Sequence, residues 1–198
     1  MIIGKENPPT KSPFSVGLHP MYIDVQSIEN QIIMLKKESQ KENCWAIGEC
    51  GLDRRSTMTI SEQENIFSEQ IKWAMEIEKP IIIHCVKAFS ELVKIKKKLN
   101  PSVAMVVHGF NNKEQIFTEL LKNDFFFSFG NAILKPNSNA QKALKNIPQN
   151  RLFLETDNTQ VSINDIYDAA SNILEIEISE LKTLIINNLK QIKPSFNG

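Results

Sequence analysis

The stretch CWAIGECGLD, from Cys44 to Asp53, decides the fold class of this chain. Its opening CWAIGE has the length and the apolar character of a buried β-strand, and we predict that this strand ends at the carboxylate of Glu49. A glycine-containing turn and a second carboxylate, Asp53, follow. A charge at the end of a buried strand is costly unless another group compensates it. The stretch therefore predicts an inner strand that carries a functional side chain at its carboxyl end.

Apolar runs of strand length alternate along the chain with amphipathic segments of helix length. Most of the runs are apolar throughout, which is typical of parallel strands covered on both faces. They are FSVGLH (14–19), CWAIGE (44–49), PIIIHC (80–85), AMVVHGF (104–110), FFFSFG (125–130) and RLFLETD (151–157). This alternation predicts an α/β fold, either doubly wound or a (β/α)8 barrel. The sequence contains no glycine-rich phosphate-binding loop, which argues against a doubly wound nucleotide-binding fold.

Several of the helical segments carry a sequence signal for their first residue. Ser61 with Glu64 predicts a capping box at the start of one helix. Ser162 and Ser179 predict the caps of two later helices.

The composition is that of one globular domain, which we predict to span residues 1–198. Lys+Arg and Asp+Glu are both 23, so no general basic field attracts nucleic acid. The cysteines Cys44, Cys50 and Cys85 are odd in number and lack paired spacing, which favours a reducing compartment. No apolar run has transmembrane length, and the first residues lack the layout of a signal peptide. We therefore expect a cytoplasmic protein with no membrane partner.

Functional side chains gather at the predicted strand ends. All three histidines and two acids lie there: His19, His84, His108, Glu49 and Asp157. The residues two positions before them are small or apolar, except for Glu155, for which the sequence shows no partner. A lone histidine at a strand end is more often structural, but convergence on one barrel rim favours a divalent-metal hydrolase. Nitrogen and oxygen ligands of this kind fit Zn, Mn, Fe or Mg.

Five short blocks resemble those of the TatD family of metal-dependent deoxyribonucleases. In chain order they are VGLHP, AIGECGLD, PIIIHC followed by KAF, VVHGF and LFLETD. Each block alone is a weak signal, but five in the family's order and approximate spacing make a specific match. The resemblance covers nearly the whole chain from Phe14 onward.

The resemblance implies a TIM-type (β/α)8 barrel with a metal centre at its top. Glu49 would bridge two metal ions, and His84 and His108 would be ligands of the second ion. Asp157 would bind the first ion and act as general base, so Asp157 and Glu49 would be the catalytic residues. His19 would lie near the substrate phosphate. The implied activity is hydrolysis of phosphodiester bonds in DNA by a metal-activated water, with one or two Mg, Mn or Zn ions as cofactor.

The chain departs from the family at its start. The family begins with a strand that ends in His-x-His and supplies two metal ligands, whereas this chain has no His-x-His. The residues MII (1–3) would be the stub of the next strand. The predicted fold is therefore a barrel lacking its first strand, either by truncation, by a wrongly assigned start or as a natural variant. We expect the sequence upstream of Met1 to encode the missing strand.

A second departure follows the histidine of PIIIHC. Many family members carry an arginine two residues later, where this chain has Val86. Lys87 is the candidate to supply the positive charge for substrate binding. Arg54 and Arg55 are further candidates, although ordinary surface charge is the favoured interpretation for both.

Two alternatives to a nuclease stay open. The same ligands would suit an amidohydrolase-like enzyme that acts on a small ester, lactone or amide. The missing His-x-His would also suit a catalytically impaired barrel that serves as a binding or scaffold protein. We expect a monomer without an obligate protein partner, and we interpret Cys50 and Cys85 as buried, inert thiols.

Overall fold

Six short β-strands alternate with α-helices along residues 3, 9–157 and 159–196, which are the residues that the computed structural model describes. The strands are β1 (Phe14–Val16), β2 (Cys44–Asp53), β3 (Ile81–Val86), β4 (Met105–Val107), β5 (Phe126–Phe129) and β6 (Leu152–Leu154). The helices are α1 (Ile28–Ser39), α2 (Ile60–Glu76), α3 (Phe89–Leu99), α4 (Glu114–Lys122), α5 (Asn139–Asn146), α6 (Ile163–Leu174) and α7 (Ile178–Ile192). The predicted α/β alternation is confirmed.

The chain divides into two compact units, Met1–Met105 and Val106–Gly198. In the first unit, β1, β2 and β3 are neighbours in that order, and both pairs are parallel. Helices α1 and α2 pack against this part of the sheet, and α2 also contacts α3. The prediction of one domain over residues 1–198 stays a prediction.

Strand β2 is longer than predicted, because it continues through Glu49 to Asp53. Its register with β3 shifts between Ile47 and Cys50, and pairing then resumes with Cys50 opposite Ile83 and Gly51 opposite His84. Gly51 has a φ of +140°, and a Cβ atom there would lie 2.1 Å from the carbonyl oxygen of His84. Only glycine tolerates both conditions, so the predicted turn is an irregular but continuous strand.

The N-cap of α2 lies two residues before its predicted position. Thr59 is the N-cap, and Thr59 and Glu62 form the capping box that was predicted for Ser61 and Glu64. The Ser162 cap of α6 is confirmed, and its partner in a capping box is Asp165.

The predicted cap of α7 is wrong by two positions. The N-cap residue is Glu177, and Ser179 lies inside the first turn of the helix. The chain enters the helix at Ile178, and the amide of Leu181 donates to the carbonyl of Glu177. The start of α7 is therefore set by backbone geometry at Glu177 and not by a side-chain cap at Ser179.

In the second unit, β4, β5 and β6 are neighbours in that order, and both pairs are parallel. Its core contains a cluster of phenylalanine rings. Phe127 lies 5.0 Å from Phe110 and 5.0 Å from Phe117 between ring centroids, and Phe129 lies 6.1 Å from Phe110. The run Phe125–Phe127 is at most 4% exposed, so its three rings belong to the core.

The start of the chain is described only at Ile3 and from Pro9 onward, so Met1 and Ile2 of the predicted strand stub lie outside the described residues. Ile3 is buried, and its amide donates a hydrogen bond to the carbonyl of Gly17 at 3.2 Å. Among the helices that the structure describes, none combines the length and apolarity needed to cross a bilayer.

Candidate metal centre

His19 lies just beyond β1 and is only 6% exposed. Its Nδ1 atom accepts a hydrogen bond from the amide of Met21 at 3.2 Å. Its Nε2 atom lies 3.7 Å from Oε2 of Glu49. The ring also lies 4.3 Å from the ring of His84, between centroids. The end of β1 therefore brings His19 together with residues of the next two strands.

Glu49 lies in the irregular part of β2, with 27% of its side chain exposed. Gly17, at the end of β1, lies directly against its backbone. A Cβ atom on Gly17 would lie 2.6 Å from the carbonyl oxygen of Glu49 and 2.8 Å from Cα of Gly48. Because the backbones of β1 and β2 are in such close contact at Gly17, this glycine sets how near His19 comes to the Glu49 carboxylate.

His84 lies in β3 and contacts a buried acid that the sequence did not assign to the site. Its Nε2 atom lies 2.8 Å from Oδ2 of Asp53, whose side chain is completely buried. The Asp53 carboxylate also accepts from Arg55, at 3.0 Å from Nε to Oδ1 and 2.7 Å from Nη2 to Oδ2. Burial raises the pKa of Asp53, but the hydrogen bonds from Arg55 and His84 outweigh this and hold that pKa well below its usual value.

Two glutamines of α2 hold the backbone next to these residues. Gln63 accepts from the amide of Asp53 at 2.7 Å and donates to its carbonyl at 3.1 Å. Gln70 does the same for Leu18, at 2.7 and 3.3 Å. The two glutamines are seven positions apart and so share one face of the helix. The only sequence signal for them is amide side chains within the apolar stripe of α2.

The donor set of the first unit fits a divalent cation. His19, Glu49 and His84 each offer a ligand atom, and these atoms lie within 4.8 Å of one another. Imidazole nitrogen with carboxylate oxygen is a donor set that suits Zn, Mn and Fe. The role of His19 is different, because Nδ1 accepts a hydrogen bond and the neutral ring therefore carries its proton on Nε2. His19 therefore presents a donor to the site beside Glu49 and His84, which are the predicted ligands.

In the second unit, His108 follows β4 and is paired with Glu155. Oε1 of Glu155 accepts from the amide of Gly109 at 2.8 Å and lies 3.4 Å from Nδ1 of His108. Glu155, which had no partner in the sequence, therefore holds the turn that carries His108. Asp157 is exposed and has a φ of +51°, and a ligand atom of its carboxylate lies within 4.8 Å of one on His108. The second unit thus brings together its two predicted ligands.

The cations near these strand ends differ in their surroundings. Arg54 donates to the carbonyl of Lys87 at 2.8 Å and to Glu91 at 2.6 Å. Arg55 is held by Asp53. The side chain of Lys87 is exposed just before α3. Lys87 therefore remains the candidate for contact with an anionic substrate, whereas both arginines are engaged in ion pairs.

The cysteines beside the predicted ligands are one buried thiol, Cys50, and one partly buried thiol, Cys85. Cys50 is fully buried, and burial raises its pKa above the usual value, with the charge of Glu49 adding to the effect. Burial raises the pKa of Cys85 to about 12. A thiol with a raised pKa is a poor nucleophile and a poor ligand, which agrees with the inert role predicted for both.

Comparison with known proteins finds a matching family and several relatives. The family model described as "TatD related DNase" matches residues 5–192. An uncharacterized metal-dependent hydrolase of Buchnera aphidicola subsp. Baizongia pistaciae is 33% identical over 151 residues, which are 75% of this chain and 56% of that protein. A protein of Cronobacter sakazakii named 3'-5' ssDNA/RNA exonuclease TatD is 30% identical over 147 residues, 72% of this chain and 56% of its own. The chain therefore spans little more than half the length of these two relatives.

A solved structure shows the same fold. The crystal structure of YJJV, a TatD homologue from Escherichia coli K12, has a TM-score of 0.78 and 20% sequence identity, and the match covers 92% of this chain and 76% of that one. This likeness confirms the predicted α/β fold class of TIM-barrel type. With the family model over nearly the whole sequence, it confirms the resemblance of the five sequence blocks: the chain belongs to the TatD family.

Proposed function

We propose that the chain is a metal-dependent hydrolase of phosphodiester bonds, with DNA as its substrate. The observation that carries the proposal is the convergence of Glu49 and His84 with His19, because ring nitrogens and a carboxylate oxygen of these residues lie within 4.8 Å of one another. A structural histidine needs no carboxylate and second histidine around it, whereas a cation site does. The names of the two relatives, a metal-dependent hydrolase and an exonuclease, support the same chemistry.

The proposed ligands are Glu49 and His84 in the first unit, and His108 and Asp157 in the second. When bound there, a divalent Mg, Mn or Zn ion lowers the pKa of water and offsets charge on the phosphoryl oxygens. The pairing of His84 with Asp53 and of His108 with Glu155 supports their assignment, because ligand histidines commonly contact a carboxylate through the ring nitrogen that does not bind metal.

The other side chains act on the substrate and on protons. Asp157 is exposed, so its carboxylate can reach a water molecule and take a proton from it as general base. The Nε2–H of His19 is placed to donate to a phosphate oxygen near Glu49. The ammonium group of Lys87 adds positive charge, which the chain as a whole lacks because its formal net charge is zero.

The substrate is best identified by assaying a panel of candidate nucleic acids and small esters. The family description supports DNA, and the name of the Cronobacter relative includes both single-stranded DNA and RNA. End-labelled single-stranded DNA, double-stranded DNA and RNA would be incubated with the chain and Mn²⁺, beside a set of small carboxylic esters and lactones. We expect cleavage of single-stranded DNA. Turnover of esters alone would replace the proposal with an amidohydrolase-like activity, and no turnover with no bound metal would favour a scaffold protein.

Replacing Asp157 by Asn tests the proposed base. Asn keeps the shape of the side chain but neither accepts the proton nor offers a negative charge to a cation, so we expect cleavage of DNA to fall about 10²–10⁴-fold. Asp168→Asn on α6 is the control, because Asp168 is also exposed. Equal rates for Asp157→Asn and the parent at equal metal content would rule out Asp157 as the base.

The cytoplasmic location and the monomeric state of the protein also stay predictions.

A further inference from the structure

A cleft in the first unit is lined by the loop after His19 and by the first two turns of α1. We call it the α1 cleft, and its lining includes Met21, Tyr22, Asp24, Ser27, Gln31 and Met34. Its volume is about 560 Å³, which lies within the range of roughly 300–1,000 Å³ that is typical of small-molecule sites. The α1 cleft is therefore large enough to hold a ligand of that class.

The α1 cleft adjoins the candidate metal centre through Tyr22. The ring of Tyr22 lies 5.2 Å from the ring of His19, between centroids, and the amide of Tyr22 donates to the carbonyl of His19 at 2.8 Å. On its other side, Nε2 of His19 lies 3.7 Å from Oε2 of Glu49. A strand of nucleic acid with a phosphate at Glu49 would therefore bring a neighbouring group of the same strand to the α1 cleft.

The walls of the α1 cleft are apolar but lie open to solvent. Met21, Tyr22 and Met34 are each between 43% and 46% exposed. Asp24 is the only charged side chain among the described residues that line the cleft, and both of its carboxylate oxygens accept hydrogen bonds within its own loop. A negative charge repels a phosphate, so the lining favours an uncharged ligand with a flat apolar surface.

Gln31 is a buried polar side chain in this lining and is only 7% exposed. Its Oε1 atom accepts a hydrogen bond from the amide of Asp24 at 3.1 Å. This contact fixes the orientation of the side-chain amide, because only the oxygen can accept from a backbone N–H. The Nε2 donors of Gln31 have no acceptor among the residues that the structure describes, so they are available to a ligand in the cleft.

We propose that the α1 cleft is a nucleobase-binding subsite, in which Nε2 of Gln31 donates to an acceptor on the edge of the base. The side chains of Tyr22 and of the two methionines pack against the ring of the base. The subsite rests on the proposed function, since the base belongs to the DNA strand whose phosphate lies at the metal centre. All four bases carry an acceptor on their edge, so the subsite distinguishes a base from a bare sugar without selecting a sequence.

Removing one base from the substrate tests the subsite in the parent protein, without any variant. Short single-stranded oligonucleotides would each carry one abasic residue, at a different distance from the bond that the parent cleaves with Mn²⁺. We expect one position near that bond to lower kcat/KM about 5–150-fold, as for the loss of one stacked base. Unchanged cleavage at every abasic position would overturn the proposal.

Gln31→Glu tests the donor. Glutamate keeps an oxygen for the amide of Asp24 but replaces the NH₂ group with a second acceptor, so kcat/KM for the intact oligonucleotide should fall about 3–10-fold. The further loss caused by the abasic residue should become smaller than in the parent. Gln26→Glu is the matched control, because it makes the same change at an exposed position of the same loop, outside the lining of the cleft. Equal losses in both variants would reduce the effect to general repulsion of DNA and overturn the proposal.

Binding of a base can also be measured without metal or hydrolysis. Millimolar deoxyadenosine, added to ¹⁵N-labelled parent, should shift the NMR signals of the Gln31 side-chain amide, which the spectrum of Gln31→Glu assigns by their absence. Deoxyribose, which lacks the base, should leave them in place. Failure of the proposed function would appear as absent cleavage of every oligonucleotide while deoxyadenosine still shifts these signals. Unmoved signals together with cleavage that is insensitive to abasic residues would instead reject the subsite.

Discussion

Single residues set how closely the proposed ligands approach one another, and Gly17 is the clearest case. Gly17→Ala would place a methyl group 2.6 Å from the Glu49 carbonyl, so β1 or β2 must shift. We expect a loss of about 1–3 kcal/mol in the free energy of unfolding, measured by urea denaturation. Because the shift moves Glu49, Mn²⁺ binding measured by calorimetry should also weaken.

Gly130→Ala is the matched control for Gly17→Ala. A Cβ atom at Gly130 would have its nearest neighbour at 3.4 Å, an ordinary contact. Its φ of −115° is accessible to alanine, so stability should change little or rise slightly. Equal destabilisation by both substitutions would show that the contact of Gly17 with Glu49 is not the cause.

Among the helices, α2 holds the backbone next to the site through Gln63 and Gln70. The Oγ1 atom of its cap Thr59 accepts from the amide of Glu62 at 3.3 Å. Thr59→Ala leaves that amide without its cap, and we expect a loss of about 1 kcal/mol in the free energy of unfolding. Hydrogen exchange of the first-turn amides should accelerate, because the start of the helix then frays.

Ser61→Ala is the control for Thr59→Ala. It also tests whether the cap of α2 is Thr59, as in the structure, or Ser61, as the sequence predicted. Ser61 lies inside the first turn of α2, where alanine is the better helix former. We expect stability to be unchanged or raised by a few tenths of a kcal/mol. A larger loss for Ser61→Ala than for Thr59→Ala would move the cap back to the position predicted from the sequence.

For the whole molecule, a bound cation should stabilise the folded chain. If only the folded state binds, Mn²⁺ at one hundred times its Kd adds about 2.7 kcal/mol to the free energy of unfolding. We expect the Tm to rise by several degrees with Mn²⁺ in the parent. The rise should disappear in His84→Ala and shrink in His108→Ala.

Asp168→Asn serves again as the control, because it changes one exposed carboxylate and leaves the proposed ligands intact. Its Tm should respond to Mn²⁺ as the parent does. A Tm that rises equally in the parent and in both histidine variants would place the bound cation elsewhere on the chain. Calorimetric titration of the parent should give about one site.

The sequence by itself determined the order of strands and helices, the family, and the side chains at the strand ends. These follow from local information, because apolar runs, amphipathic stripes and short blocks such as AIGECGLD are read over a few neighbouring residues. The Ser162 cap and the phenylalanine core of the second unit were predictable for the same reason.

Only the tertiary structure decided how far β2 runs and which acids contact the histidines. Asp53 and His84 are 31 positions apart, and His108 and Glu155 are 47 apart. No local pattern encodes such pairs, since they depend on strand register and on where the backbone bends. β2 continues to Asp53 because Gly51 adopts a φ of +140° against the His84 carbonyl, a contact that exists only once β3 lies beside it. That pairing brings Asp53 within hydrogen-bonding distance of His84, because the end of β2 is held in register with β3.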